Sequence, residues 1–117
     1  GRAFGQTVRA ATPPGALLVA VKDDVDARCP LLLEPSRRDG WSVREEFLSP
    51  EVVERLRRLG ATHLAWAHRG EPDLARIGPL AALPRRTLPL PSGYGLSLWG
   101  LEAGRAPAGQ ERGAATK

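Results

Sequence analysis

Between positions 49 and 68 the hydrophobic rhythm of the chain changes once. Val52, Val53, Leu56 and Leu59 recur at helical spacing and make one apolar stripe. Ser49 precedes the stripe as an N-cap, and Pro50 takes the first helical position, where a missing N–H costs nothing. The other face carries Glu51 with Arg55 and Glu54 with Arg58, two acid-first pairs four residues apart. Gly60 supplies the left-handed residue that ends the helix. Residues 62–67 are then apolar around one histidine and too short for a helix, which predicts a buried strand. A helix, a glycine and a buried strand make half of a βαβ unit, so a parallel sheet is expected.

Upstream, residues 4–11 place Phe4, Val8 and Ala11 on one side of a short helix. Thr12-Pro13-Pro14-Gly15 stops it, because a residue before proline is pushed out of the helical region. Residues 16–21 are an unbroken apolar run, the pattern of a strand covered on both faces. Residues 30–34 form a second apolar run that suits either a strand or the first turn of a helix. Residues 35–41 read as a loop with a glycine turn and a large aromatic, and residues 42–48 as mixed and polar. Downstream, residues 71–82 predict a weaker helix with Leu74, Ile77 and Leu80 inward, broken or bent at Gly78-Pro79. Residues 86–90 and 95–101 predict two strands joined through Pro91-Ser92-Gly93-Tyr94 as an antiparallel hairpin. In the last strand Leu96, Leu98 and Gly100 alternate with Ser97, Trp99 and Leu101, which suits a half-covered strand.

The fold class is therefore α/β: a small sandwich with a mixed, partly parallel sheet, helices packed on it and an antiparallel edge hairpin. Residues 1–11 are an N-terminal helix, residues 12–102 the α/β domain, and residues 103–117 a disordered tail or linker without apolar period.

A chain of 117 residues buries a real core without staples. Its single cysteine, Cys29, excludes an internal disulfide and provides no zinc site. The net charge of +4 comes almost wholly from arginine, since lysine occurs only at Lys22 and Lys117. Those arginines are scattered among acids rather than gathered on one face with aromatics, so no nucleic-acid partner is expected. No run approaches the roughly 20 apolar residues of a membrane span.

Asp23, Asp24 and Asp26 follow the first strand, at the end of an open α/β sheet where ligands usually bind. Asp24 and Asp26 also have the D-x-D form of a divalent-metal or sugar-nucleotide site. A solvated turn is the favoured reading, because no later cluster completes an octahedral oxygen shell. His63 and His68 lie five apart in one strand, point to opposite faces and cannot chelate together. Cys29 lacks a nearby base, Ser49 is a cap, and no glycine-rich phosphate loop follows the first strand. No catalytic set, metal or cofactor is expected in this chain alone. Arg37-Arg38-Asp39-Gly40-Trp41 is the remaining feature: two guanidiniums beside an indole suit a phosphate or a sugar ring. A Trp41 lid over the core, with the arginines in water, explains the same residues.

Thr12-Pro13-Pro14-Gly15-Ala16, an apolar strand, an acidic loop, Pro30-x-Leu32-Leu33, then Arg38-x-Gly40-Trp41 and a helix ending in Leu59-Gly60-Ala61 make a recognisable series. It resembles the C-terminal extracytoplasmic domain of polytopic membrane glycosyltransferases of the type C fold, relatives of protein mannosyltransferases and aminoarabinose transferases. The resemblance implies a parent that transfers a sugar from a polyprenyl-phosphate donor on the outer face of the membrane. It implies that the helix of residues 1–11 leads from a membrane span, and that the membrane-embedded part of the parent carries the catalytic acid. The soluble domain would cap that site or position the acceptor, with Arg37, Arg38 and Trp41 as the residues nearest the substrate. Asp39 and Glu34 are internal partners for Arg38, which favours a pinning role for it. The other readings are a free-standing small-ligand domain and a protein-interaction module.

Overall fold

The computed structural model describes residues 2–22 and 39–101, with Arg2 and Ser92 placed by their backbone alone. Among the described residues five strands, β1 (Leu17–Lys22), β2 (Asp39–Arg44), β3 (His63–Arg69), β4 (Arg85–Pro89) and β5 (Tyr94–Gly100), form one open sheet in the order β2-β1-β3-β5-β4. β1 runs parallel to both β2 and β3, whereas β5 is antiparallel to β3 and to β4. Two helices, α1 (Arg2–Ala11) and α2 (Pro50–Arg58), pack on the sheet. This is the expected mixed α/β sheet, with the β4–β5 hairpin at one edge. The run at residues 30–34 and the tail at residues 103–117 lie outside the described residues.

β1 belongs to two cores. Val19 and Val21 join Val53 and Leu56 of α2, with Leu64, Trp66 and Trp99, on one face. Leu18 and Ala20 join Phe4 and Val8 of α1 on the other. The second face is lined with small residues in register: Ala20 pairs with Ala65, Ala65 with Leu98, and Ala67 with Leu96. That shallow floor accommodates α1, while both tryptophans fill the deeper side under α2. Each Val or Leu so buried contributes about 1.5–3 kcal/mol relative to exposure.

The passage from α2 to β3 follows the local chemistry of the sequence. The Ser49 side chain accepts from the Val52 N–H at 3.2 Å, and Pro50 opens the helix. At the other end the Gly60 N–H bonds to the Arg57 carbonyl and the Ala61 N–H to the Leu56 carbonyl, at 3.1 and 3.0 Å. This is a Schellman closure, and it requires the positive φ of 117° that Gly60 adopts. Thr62 then extends the parallel ladder by one step: its N–H bonds the Leu17 carbonyl at 2.8 Å and its hydroxyl accepts from the Leu17 N–H at 3.0 Å.

Several expectations are corrected. Residues 39–41 are not a loop but the start of the edge strand β2, running to Arg44. Gly40 sits opposite Leu18 with φ at 148°, and a Cβ there would collide with the Leu18 carbonyl. The glycine marks a close strand contact rather than a turn. Residues 71–82 hold two short 3₁₀ turns, Leu74–Arg76 and Gly78–Ala82, since Pro79 has no N–H to continue an α-helix. Ile77 and Leu80 are buried as expected, but Leu74 is exposed. β5 is covered on both faces, with Leu96, Ser97, Leu98 and Trp99 all buried. On α2, Glu54 pairs with Arg57 at 3.0 Å and Arg58 at 3.7 Å, whereas Glu51 and Arg55 make no ion pair among the described residues. Leu59, counted in the apolar stripe, caps the helix beyond the sheet and is 63% exposed.

Leu56 and Leu64 meet in the core between α2 and the sheet. Leu56→Ala and Leu64→Ala should each cost ~2–5 kcal/mol in denaturant unfolding. A loss below ~0.5 kcal/mol at both would contradict this helix–sheet contact.

Candidate functional site

Trp41 is the one member of the sequence-derived ligand set among the described residues. It lies on β2 opposite Val19 and packs, half-buried, against the core on the α2 face. Arg37, Arg38, Asp24 and Asp26 lie outside the described residues, as do Asp23 and Cys29. Among the described residues no group of three His, Cys, Asp or Glu side chains is placed to hold a metal ion.

The parallel strands end on cations: Lys22 on β1, Arg44 on β2 and Arg69 on β3. Tyr94, at the start of β5, faces two of them, with the Lys22 ammonium 4.9 Å and the Arg69 guanidinium 4.6 Å from its ring centre. Arg44 lies 5.4 Å from the ring centre of the exposed Phe47 and pairs with Glu46 at 2.7 Å. The carboxyl rim, where open α/β sheets take ligands, is thus a basic and aromatic border. No local pattern marks it, because Lys22, Arg44, Arg69 and Tyr94 stand more than twenty positions apart and meet only through the strand order.

Two polar arrangements lie beside this rim, the first buried and the second partly exposed. His68 Nδ1 lies 2.8 Å from the Gly70 carbonyl oxygen, which only accepts, so that nitrogen carries the proton. In the neutral ring Nε2 then accepts from the Ser97 hydroxyl at 2.7 Å. The pair has the hydrogen arrangement of a serine activated by a base. Ser97 is fully buried, however, and no substrate atom reaches it. The pair instead bolts β3 to β5. Nearby, the Trp66 indole N–H donates to the Glu45 carboxylate at 2.7 Å. Arg76 donates to the Glu45 carbonyl at 3.0 Å, with the Glu46 and Leu48 carbonyls at 3.4 and 3.5 Å. Together these bonds hold the turn after β2 against the 3₁₀ segment.

Two grooves flank the sheet. The one beside α2, about 600 Å³, is bordered by Pro50, Glu54, Arg57, Ile77, Leu80 and Leu83, so its charges are of both signs and partly neutralise each other. The other runs between α1 and β4 and is bordered by Gln6, Thr7, Ala10, Ala11, Arg86 and Leu88. His63 and His68 are separated as expected. His68 faces the Ser97 side of the sheet, and His63 borders a hollow with Ala11 and Arg86. Comparison of the chain with known protein families, with curated proteins and with solved structures gives no match.

The His68–Ser97 bond is open to test. Ser97→Ala leaves a buried imidazole nitrogen without its donor and should cost ~1–3 kcal/mol in urea unfolding. A stability equal to that of the parent chain would contradict the assigned bond.

Proposed function

We propose that this chain is a non-catalytic extracytoplasmic domain of a membrane glycosyltransferase that takes its sugar from a polyprenyl phosphate. Its role is to cap the membrane-embedded active site or position the acceptor. The observation that carries this reading is how the R-x-G-W motif meets the sheet. Gly40 is pressed on the Leu18 backbone and Trp41 is anchored in the α2-side core. Both motif residues that the structure describes therefore fix the strand immediately after Arg37 and Arg38. Leu59-Gly60-Ala61, the other motif of the resemblance, closes α2 and sets the start of β3.

Positioning is the contribution such a domain makes: holding a reactant in a near-attack geometry lowers the barrier without any proton transfer of its own. The chemistry then resides in the membrane-embedded part of the parent. The polyprenyl-phosphate donor is bound chiefly by the parent.

The test is sugar transfer from a labelled polyprenyl-phosphate donor in membranes containing the full-length parent. The parent should transfer sugar and the isolated 117-residue chain should not. Trp41→Ala in the parent should lower transfer by about tenfold or more while the protein stays in the membrane. A parent that transfers from no polyprenyl-phosphate sugar, or a Trp41→Ala parent of full activity, would contradict the proposal.

A further inference from the structure

The outward face of α2 carries four charges in an ordered pattern. Glu51, Glu54, Arg55 and Arg58 follow the i, i+3, i+4, i+7 spacing that puts residues on one side of a helix. Two acids occupy the first half of this face and two arginines the second. Glu51, Arg55 and Arg58 are exposed. Glu51 and Arg55 are spaced to pair within the helix, yet neither makes an ion pair among the described residues. Glu54 approaches Arg58 only to 3.7 Å, and the Arg58 side chain remains 76% exposed. Leu59, 63% exposed, caps the same helix, and the groove beside α2 is bordered by Pro50, Pro79, Leu80 and Leu83.

From this arrangement we infer that α2 is a self-association surface, occupied by the α2 of a second copy of this chain running antiparallel. The order of charges inverts about the midpoint between residues 54 and 55. A two-fold axis there sets Glu51 against Arg58 of the second copy and Glu54 against its Arg55, and symmetry repeats both pairs. Every contact then joins opposite charges, and each includes one residue that has no ion pair within its own chain. Leu59 comes level with the first turn of the second helix, which covers its apolar surface. A parallel arrangement would bring like charges together, so the pattern fixes the direction of docking. α1 and β4 offer no such match: each carries arginines and no acid, so two copies would repel. The assignment is independent of the transferase reading.

The experiment is sedimentation equilibrium of the full 117-residue chain over a concentration series, with amide chemical shifts followed on dilution. The parent chain should pass from monomer to dimer, more weakly at high salt, with shifts confined mainly to residues 50–59 and the groove beside them. Glu51→Arg and Arg58→Glu, each checked for folding by circular dichroism, should weaken the dimer at least about tenfold, because like charges then face each other twice. Mixed in equal amounts, the two variants should dimerise again, since each restores the opposite charge that the other lacks. Arg86→Gln, on β4, should dimerise as the parent does. A parent chain still monomeric at millimolar concentration would overturn the proposal, leaving the charges of α2 to serve only the helix dipole. So would single variants that dimerise unchanged, or a mixture that stays monomeric. Loss of the dimer in Arg86→Gln would also overturn it, by placing the contact at the β4 edge.

Discussion

β1 and β3 have almost no side chain turned to water, and the remainder of the fold follows from that constraint. From Leu18 to Val21, and from Leu64 to Ala67, every side chain is buried. A strand buried on both faces needs a layer on each side, and parallel neighbours need crossovers to supply those layers. α1 covers one face before β1 begins, and α2 covers the other on the way from β2 to β3. The two faces are unequal: alanines line the α1 side, while Trp66 and Trp99 lie 6.2 Å apart between ring centres on the α2 side.

This division also places the chemistry. Two polar side chains on the α2 face are bonded internally, His68 to Ser97 and Gly70 and Trp66 to Glu45, whereas the buried Trp99 indole N–H has no hydrogen-bond partner among the described residues. The charged side chains lie at the carboxyl rim, along α2 and on the edge strands. β2 presents Gly40 and Trp41 at one edge, and β4 presents Arg86 at the other.

What the sequence disclosed followed the strength of its local signals. α2 was legible because Ser49, Pro50 and Gly60 mark its ends and Val53 and Leu56 its inner face. β1 and β3 were legible as short apolar runs, unbroken over Leu17 to Val21 and over Leu64 to Ala67. β2 was not, because the alternation of Trp41 and Val43 with Ser42 and Arg44 is only four residues long and opens on Asp-Gly, which reads as a turn, and its glycine serves a contact with Leu18 that no local pattern records. The second covered face of β5 was hidden by Ser97, a polar residue whose partner His68 stands 29 positions away. For the same reason the rim of Lys22, Arg69 and Tyr94 and the groove around Arg86 appear only once the strand order is known. Local chemistry determines where elements begin and end; sites assembled across elements depend on topology.

The central claim, a sheet sealed by a helix on each face, is tested most directly by native-state hydrogen exchange. Amides of Val19, Ala20, Leu64 and Ala65 should exchange only through global unfolding, and those of Val8 in α1 and Leu56 in α2 should share most of that protection. Val8 exchanging like an unfolded chain while β1 and β3 stay fully protected would show that α1 does not seal its face, and would contradict the account.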